Sequence, residues 1–337
     1  MKIGLSLTGI GQQPSGTNMF AHYQQILEYV RVGRDLGFDF IYQGQHYLTE
    51  PYQQLQTIPL LSRLSAEAGD MEIVATLLIP LQLPIDLAEQ MATLDIITGG
   101  KFIVAGALGY RDVEYNAFNV NPKFRVSRYM ECINIVKQLW TGDAVTFHGK
   151  HFQIDNARMV LKPITQPNPP FWLAANSDSA IERAAKNDLT WYVNPHANFP
   201  TIKRQIELYK ATANEAGSTV PDNLPMGREL FVHRDREEAM KIAAPFLGGK
   251  YDAYAKWGQD KALPADDKFA DSFQELAKDR FIIGNPEDCA TELKRYVDLG
   301  IDQISLRMCW PGMPVSEGIK AMETFADTVM PVLRCGG

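Results

Sequence analysis

The residues best suited to chemistry in this 337-residue sequence come directly after short apolar segments. His46 follows the apolar segment 40–43, and an imidazole there can give or take a proton near neutral pH. The segment 176–179, Asn-Ser-Asp-Ser, lies between an apolar segment and a predicted helix. Small hydroxyl residues at a helix start offer backbone N–H groups and the positive end of the helix dipole to an anion. The pattern therefore indicates proton transfer and anion binding, although His46 can also be a packed histidine and Ser177 or Asp178 a simple helix cap.

Metal and hydrolytic chemistry are poorly represented in the sequence. Few carboxylates follow the predicted strands, and no His, Asp and Glu cluster has metal-ligand spacing. His148 and His151 flank a predicted hairpin turn and form only a weak metal pattern. Gly9 and Gly11 follow a strand, but Pro14 and Ser15 stand where a dinucleotide fingerprint needs a helix with a third glycine. We therefore predict no metal site and no tight NADH binding.

Composition limits the partners and the location of the chain. The net charge is −7 without a basic block, which argues against nucleic acid and anionic membranes. No apolar run is long enough for a membrane span, and the N-terminus reads as a strand rather than a signal peptide. The four cysteines are scattered, which predicts no disulfides and a cytoplasmic protein; they are Cys132, Cys289, Cys309 and Cys335.

One stretch shows the elements that must position the candidate residues. Residues 73–79 and 102–105 are short apolar segments typical of buried strands, and a helix with one apolar stripe at 85–98 lies between them. A helical crossover of this kind joins parallel strands. Eight such strands, each followed by a helix, are predicted along the chain, at 2–8, 40–43, 73–79, 102–105, 171–174, 189–193, 226–232 and 303–307.

This count predicts an α/β fold, a single (β/α)8 TIM barrel over residues 1–337, with an open doubly wound sheet as the alternative. Two departures from the repeat are expected, a β-hairpin excursion at about 141–170 and an insertion at about 248–278. In such a barrel the site lies at the C-terminal strand ends. The polar, aromatic and apolar residues there suit a planar organic cofactor.

Four ordered segments resemble the bacterial luciferase-like flavin-dependent monooxygenases. They are FIYQGQHY (40–47), VATLLIPLQLPIDLAEQMATLDIITGGKFIVAGALGYRDVEYNAFNV (74–120), LWTGDAVTFHGKHFQI (139–154) and PPFWLAANSDSAIERAAKN (169–187). The resemblance covers most of the chain, and the insertion is its weakest part. It implies a TIM barrel, reduced FMN or the deazaflavin F420 as cofactor, and a homodimer formed through the helices at 58–68 and 84–98.

The resemblance also implies roles for single residues. His46 matches the family's active-site histidine, and Ala75-Thr76 matches a pair that often carries a cis peptide under the flavin ring. The predicted cofactor-binding residues are Ala75, Thr76, Ala107, Tyr110, Asn176, Ser177, Ser179 and Trp191.

Two residues depart from luciferase itself. Leu108 stands where luciferase has a basic phosphate ligand, so Arg111, Arg125 or Arg128 is expected to substitute. Ala107 replaces a reactive cysteine, which makes light emission unexpected.

The expected function is a monooxygenase. Reduced FMN adds O2 at its C4a carbon as a hydroperoxide, and one oxygen atom passes to a small, apolar organic substrate. Because no dinucleotide fingerprint is present, a separate NAD(P)H:flavin reductase is expected to supply the reduced flavin. Two alternatives stay open at this stage: an F420-dependent hydride transfer, slightly favoured by Leu108, and a flavin-binding protein without turnover.

Overall fold

The computed structural model describes residues 1–219, 221, 224–270 and 272–335. In this part of the chain the strands are β1 (Lys2–Ser6), β2 (Gln12–Pro14), β3 (Phe40–Gly44), β4 (Tyr52–Gln54), β5 (Glu72–Leu78), β6 (Phe102–Ala107), β7 (Val145–His148), β8 (Gln153–Ala157), β9 (Phe171–Ala175), β10 (Thr190–Val193), β11 (Leu224–Val232), β12 (Ile282–Gly284) and β13 (Ile301–Arg307). The helices are α1 (Met19–Asp35), α2 (Thr57–Ala68), α3 (Pro84–Ile97), α4 (Asp112–Ala117), α5 (Arg125–Thr141), α6 (Asp178–Lys186), α7 (Phe199–Ala216), α8 (Arg236–Lys256), α9 (Phe273–Ala277), α10 (Pro286–Val297), α11 (Val315–Thr328) and α12 (Met330–Cys335).

Eight parallel strands form a closed barrel in the order β1, β3, β5, β6, β9, β10, β11 and β13. The ring closes because β1 pairs with both β3 and β13, and β10 pairs with β11. This confirms the predicted TIM barrel and excludes the open doubly wound sheet. The short strand β12 extends the sheet from the far end of β11, and two antiparallel strand pairs, β2–β4 and the hairpin β7–β8, lie outside the ring.

Side chains alternate between the inside of the barrel and the layer under the helices. The inner layer is a compact cluster made of Phe40, Tyr42, Val74, Ile103, Ala105, Trp172 and Tyr192. Their strand neighbours, such as Ile41, Ala75 and Trp191, belong instead to the large core between the sheet and the helices. The period of two follows from the pleat of each strand, and it decides which residue of each strand end can reach the site.

The stretch at 72–110 folds as β5, α3 and β6, and its helix begins at Pro84, a residue whose missing N–H costs nothing in the first turn. The apolar stripe of α3 is buried through Leu87, Ala88, Met91 and Leu94. Within the described residues, no helix has the length and apolar character needed to cross a membrane.

The predicted insertion begins too early. Helix α8 continues through Gly248 and Gly249 to Lys256, and only short helical segments follow, at Asp260–Ala262 and Phe273–Ala277. The last turns of α8 are held by burial of Lys250, Tyr251 and Tyr254, which outweighs the low helix propensity of two glycines. Residue 271 of the predicted insertion and the side chain of Cys335 lie outside the described part of the chain.

Candidate active site

A cavity of about 700 Å³ opens at the C-terminal ends of the barrel strands. The strand ends bring together six of the predicted site residues, which come from places far apart in the sequence. These lining residues are His46, Thr76, Ala107, Tyr110, Asn176 and Ser177. One wall of the cavity is the segment 256–263, which follows α8 and which we call the rim segment.

His46 is held by a carboxylate that the sequence did not single out. Its Nδ1 lies 3.2 Å from Oε1 of Glu114, and the Glu114 side chain is fully buried. The same oxygen accepts a hydrogen bond from the backbone N–H of Tyr47 at 2.9 Å. A carboxylate on Nδ1 fixes the tautomer of the imidazole and leaves Nε2 as the nitrogen that can exchange a proton with a bound molecule.

Arg111 and Trp257 complete the wall beside His46. The Arg111 guanidinium donates to the carbonyl oxygens of Tyr47 and Leu48, approaches Glu114 Oε1 at 3.4 Å, and lies 4.2 Å from the centre of the Trp257 ring. The indole N–H of Trp257 donates to the Glu50 carbonyl at 2.8 Å, which anchors the rim segment to the loop after β3. Both terminal nitrogens of Arg111 thus donate to protein oxygens, and Arg111 is not free to take the place of the basic phosphate ligand.

The predicted anion-binding segment lies where β9 gives way to α6. Ser177 is the N-cap residue, yet its side chain accepts no capping hydrogen bond; its Oγ lies 3.4 Å from that of Ser179. The Asp178 carboxylate turns to the Arg204 guanidinium, which lowers the pKa of that carboxyl below its ordinary value. The amides and hydroxyls at this helix start are therefore available to an anion without repulsion from Asp178.

Aromatic rings form the floor of the cavity. The rings of Tyr42 and Tyr192 stack with centroids 5.1 Å apart and an angle of 8° between their planes, and Trp172 stacks on the other side of Tyr192. The Thr76 hydroxyl donates to the Tyr42 hydroxyl at 2.6 Å. A flat, apolar floor with a few polar atoms at its edge is suited to a planar ring system.

Three predicted cofactor-binding residues do not line the cavity. Trp191 is fully buried, packs on Tyr209 of α7, and donates its indole N–H to the Ala175 carbonyl. It points out of the barrel because the neighbouring Tyr192 points in, so Tyr192 takes its place at the site. Ala75 likewise faces the helix layer, and Ser179, the second residue of α6, is not among the residues that line the cavity.

The possible cis peptide at Ala75-Thr76 is not present. Among the described residues the cis peptide bonds precede Pro51 and Pro167, so the bond between Ala75 and Thr76 is trans.

The three candidate arginines have different surroundings. Leu108 lines the cavity as an apolar residue, and Arg125, at the start of α5, lines the same cavity with an exposed side chain. Arg128 instead donates to the Pro80 carbonyl and covers the Phe152 ring. Arg125 and Ser177 thus line the same cavity, whereas Arg128 does not line it.

A second group of charges was missed by the sequence. Arg307 at the end of β13 lines the cavity, and its Nη1 donates to Glu229 Oε1 at 3.0 Å. Glu229 also accepts from Lys250 Nζ at 2.5 Å and from the Trp310 indole N–H at 2.6 Å. Burial alone would raise the pKa of Glu229, but the positive charges of Lys250 and Arg307 hold it below its ordinary value.

Buried polar atoms of three lining residues lack a hydrogen-bond partner among the described residues: the Tyr110 hydroxyl, Asn194 Nδ2 and Gln259 Nε2. Oε2 of Glu114, behind His46, lacks one as well. Burial raises the pKa of Tyr110 well above its ordinary value, so the hydroxyl stays protonated and can donate. Buried groups of this kind cost free energy unless a ligand or water pairs with them, which marks the cavity as a binding site.

The two predicted hairpin histidines have protein partners outside the cavity. His148 approaches Gln153 and Asp155, and His151 lies 2.7 Å from the Ser127 hydroxyl.

Comparisons with known proteins identify the family of the chain. A family model described as luciferase-like monooxygenase matches residues 1–303. The oxygenase component of the flavin-dependent trigonelline monooxygenase of Acinetobacter baylyi is 24% identical over 330 residues, covering 92% of this chain and 89% of that protein. The FMNH2-dependent dimethylsulfone monooxygenase of Pseudomonas putida is 26% identical over 269 residues, covering 74% and 73%.

Solved structures share the fold. The monooxygenase RslO1 of Streptomyces bottropensis superimposes with a TM-score of 0.83 at 21% identity, over 98% of this chain and 99% of that one. The oxygenating constituent of 3,6-diketocamphane monooxygenase of Pseudomonas putida, in complex with FMN, gives 0.82 at 14% identity over 98% of both chains. An F420-dependent secondary alcohol dehydrogenase gives 0.73 at 20% identity, also over 98% of both chains.

Proposed function

The chain belongs to the luciferase-like monooxygenase family, and from this premise we propose that it oxygenates a small organic substrate with reduced FMN and O2. The observation that carries the proposal is the convergence of His46, Tyr110 and the helix start at Ser177 on one cavity. These groups supply a proton-transfer residue, a hydrogen-bond donor and an anion-binding end, which a phosphorylated flavin requires together.

The cavity residues fit FMN. The stacked floor of Tyr42 and Tyr192 offers a planar surface, and the unpartnered Tyr110 hydroxyl offers a donor at its edge. Asn176, Ser177 and Arg125 would hold the phosphate; the uncapped hydroxyl of Ser177 is the specific support for this assignment.

When bound, reduced FMN would supply the two electrons that activate O2; one oxygen atom of O2 would pass to the substrate and the other would leave as water. Glu114 holds a proton on Nδ1 of His46, so that Nε2 can accept or return a proton at the reacting centre. Trp257 and Arg111 close the wall beside His46 and limit the access of water.

A separate NAD(P)H:flavin reductase is part of the proposal. The sequence lacks a dinucleotide fingerprint, and the curated Acinetobacter relative is named as an oxygenase component. Reduced flavin would then arrive by diffusion or by transfer from that partner.

The test is a titration of the purified chain with FMN and, without oxygen, with reduced FMN, followed by mixing with O2 and a panel of small organic substrates. We expect saturable binding of reduced FMN and an oxygenated product. Absence of saturable binding in both redox states would refute the proposal. A His46→Ala variant that binds flavin but loses product formation would support the role of His46.

F420-dependent hydride transfer is the second candidate function, and Leu108 favours it. An apolar residue at this position of the cavity removes one contact that an FMN phosphate would use. The same titration with F420 separates the two candidates, because tighter binding of F420 than of reduced FMN, with no product from O2, would support hydride transfer.

We also propose a homodimer formed through α2 and α3. Apolar residues of α3 remain exposed, with Ile96 at 40% and Ile97 at 52% of full accessibility. An Ile97→Glu variant should elute as a monomer in light-scattering chromatography. The matched control is Val160→Glu, since Val160 is 92% exposed but lies outside both helices; equal elution of the two variants would contradict this interface.

A further inference from the structure

A cluster of buried charges lies beside the cavity, on elements other than those that carry His46, Thr76, Ala107 and Ser177. We call it the cationic corner. It surrounds His196, which lines the cavity after β10, and it consists of Arg228, Glu229, Lys250, Asp267, Arg280 and Arg307. Each of these charged residues is at most 4% exposed.

The charges of the corner do not balance. Four cations face two carboxylates, because Lys250 and Arg307 share Glu229 and Arg280 pairs with Asp267. Arg228 has no carboxylate partner; it donates to the Pro195 carbonyl and lies 4.7 Å from the centre of the Tyr296 ring, outside the cavity lining, and its Nε and Nη2 lack hydrogen-bond partners among the described residues. Even with Lys250 neutral, one positive charge stays in excess. Buried charge without a counter-charge is costly, so the corner favours an anion nearby.

His196 is neutral in part because of the same buried positive charges. Burial and the positive charges of Arg307 and Lys250 hold the pKa of His196 well below its ordinary value. His196 adds no charge of its own, and its Nδ1 lies 3.1 Å from the Tyr251 hydroxyl.

Arg307 connects the corner to the cavity. Its Nε donates to Ser6 and its Nη1 to Glu229, and within the described residues its Nη2 has no partner on the protein. Since Arg307 lines the cavity, this nitrogen is the donor that a bound anion can reach.

The topology separates this corner from the flavin residues. His46 and Ser177 follow β3 and β9, Ala107 ends β6, and Thr76 lies in β5. Glu229 and Arg307 lie on β11 and β13 in the other half of the ring, with Lys250 on α8 packed against it, and β10 with Tyr192 lies between the two groups. A flavin held by the first half would leave Arg307 facing the remaining space of the cavity.

We propose that the cationic corner binds the acid group of the substrate, so that this enzyme acts on small organic acids bearing a carboxylate or a sulfonate. The inference rests on the proposed function for the position of the flavin. It refines the expectation of an apolar substrate: the body of the molecule is apolar and one end is an anion.

The experiment compares acids with neutral molecules of the same shape. Benzoate against benzamide, and propanesulfonate against propanesulfonamide, are titrated calorimetrically into the chain with and without saturating FMN. At least one acid should bind about tenfold tighter than its neutral partner. Arg307→Gln should abolish this preference, and Glu229→Gln, which removes a carboxylate, should increase it. Arg307→Lys keeps the charge and should keep the preference, and thermal melting checks that each variant folds.

The matched control is Lys261→Ala, which removes an exposed cation from the rim segment. It should change acid binding less than about twofold because solvent screens an exposed charge. The proposal is overturned if neither acid outbinds its neutral partner, or if Lys261→Ala weakens acid binding as much as Arg307→Gln.

A further titration, with FMN and reduced FMN, tests whether the corner binds the reduced flavin instead of the substrate acid. Arg307→Gln should affect FMN and reduced FMN equally. A loss confined to reduced FMN would assign the corner to the negative charge of the reduced flavin and overturn the substrate proposal. If the chain binds no flavin but still prefers the acids, the proposed function fails while the anion site stands.

Discussion

Replacing Glu114 by glutamine separates the charge at His46 from the shape of the site. Glutamine keeps an oxygen that can accept from the Tyr47 backbone N–H, now bonded at 2.9 Å, but it removes the negative charge 3.2 Å from His46 Nδ1. Glu114 is fully buried, so solvent does not screen the change. We therefore expect a loss of rate, together with a loss of stability because the buried Arg111 guanidinium also loses its counter-charge.

The size of the effect follows from the geometry. A hydrogen bond to a charged group contributes about 1.5–3 kcal/mol, and the 3.2 Å separation between His46 Nδ1 and Glu114 Oε1 is at the long end for such bonds. A value near 1.5 kcal/mol corresponds to about a tenfold slower proton-transfer step. The free energy of unfolding should decrease by up to about 3 kcal/mol, because the bond to Tyr47 is retained but the buried Arg111 guanidinium, 3.4 Å from the same oxygen, loses its counter-charge.

The assay is stopped-flow oxidation of the bound reduced flavin, with His46→Ala, Glu114→Gln and the double variant forming a cycle. If Glu114 acts through His46, the double variant should be no slower than His46→Ala alone. The control is Asp112→Asn, an exposed carboxylate on the same helix. Effects that add within about 0.5 kcal/mol would show that the two residues act independently and would refute the reasoning.

Three further predictions concern the phosphate end, the barrel packing and acid stability. Arg125→Ala should weaken FMN binding about tenfold but leave riboflavin binding unchanged, because only FMN carries the phosphate; equal loss for both would exclude a phosphate contact. Gly227→Ala should destabilise the fold by about 1–3 kcal/mol, since a Cβ there would lie 2.5 Å from the Tyr192 hydroxyl. A Cβ added at Gly249 in α8 meets no atom within 4 Å, so Gly249→Ala should stabilise the fold by about 0.5–1 kcal/mol. Urea titration measures the free energy of unfolding of both variants, and a Gly249→Ala variant less stable than Gly227→Ala would contradict this packing. The pKa of His196 in the native chain is well below its ordinary value. As the pH falls below about 6.5, His196 therefore binds a proton in the unfolded chain but not in the native chain, and the free energy of unfolding decreases. Between pH 7.5 and 5, wild type should lose up to about 2 kcal/mol more than His196→Gln, and equal losses would rule His196 out as the cause.

Much of the barrel could be predicted because its strands and helices carry local signals. Strands buried on both faces read as short apolar runs, and the helix predicted at 85–98 spans Pro84–Ile97 in the structure. The misplaced insertion shows the limit of such signals. Gly248 and Gly249 suggest a break, but burial of Lys250 and Tyr251 against the barrel keeps α8 helical.

The candidate site could be located only in part. A barrel places its site at the strand ends, so His46, Thr76, Tyr110 and Ser177 were identified before their mutual positions were known. Glu114 was missed because it follows His46 by 68 residues and sits in a six-residue helix without a motif of its own. Its spacing from Arg111, three residues earlier, is a signal common to many surface ion pairs.

The sequence by itself determined the parallel α/β architecture, the ends of the strands that carry chemistry and the family to which the chain belongs. The tertiary structure decided which side chain of each strand end faces the cavity. Strands that are apolar on both faces show no alternation in sequence, so Trp191 and Tyr192 cannot be told apart until the ring closes. Closure also gathers Arg307, Glu229 and Lys250 from separate elements, and the energy of a buried charge depends on such neighbours rather than on its position in the chain.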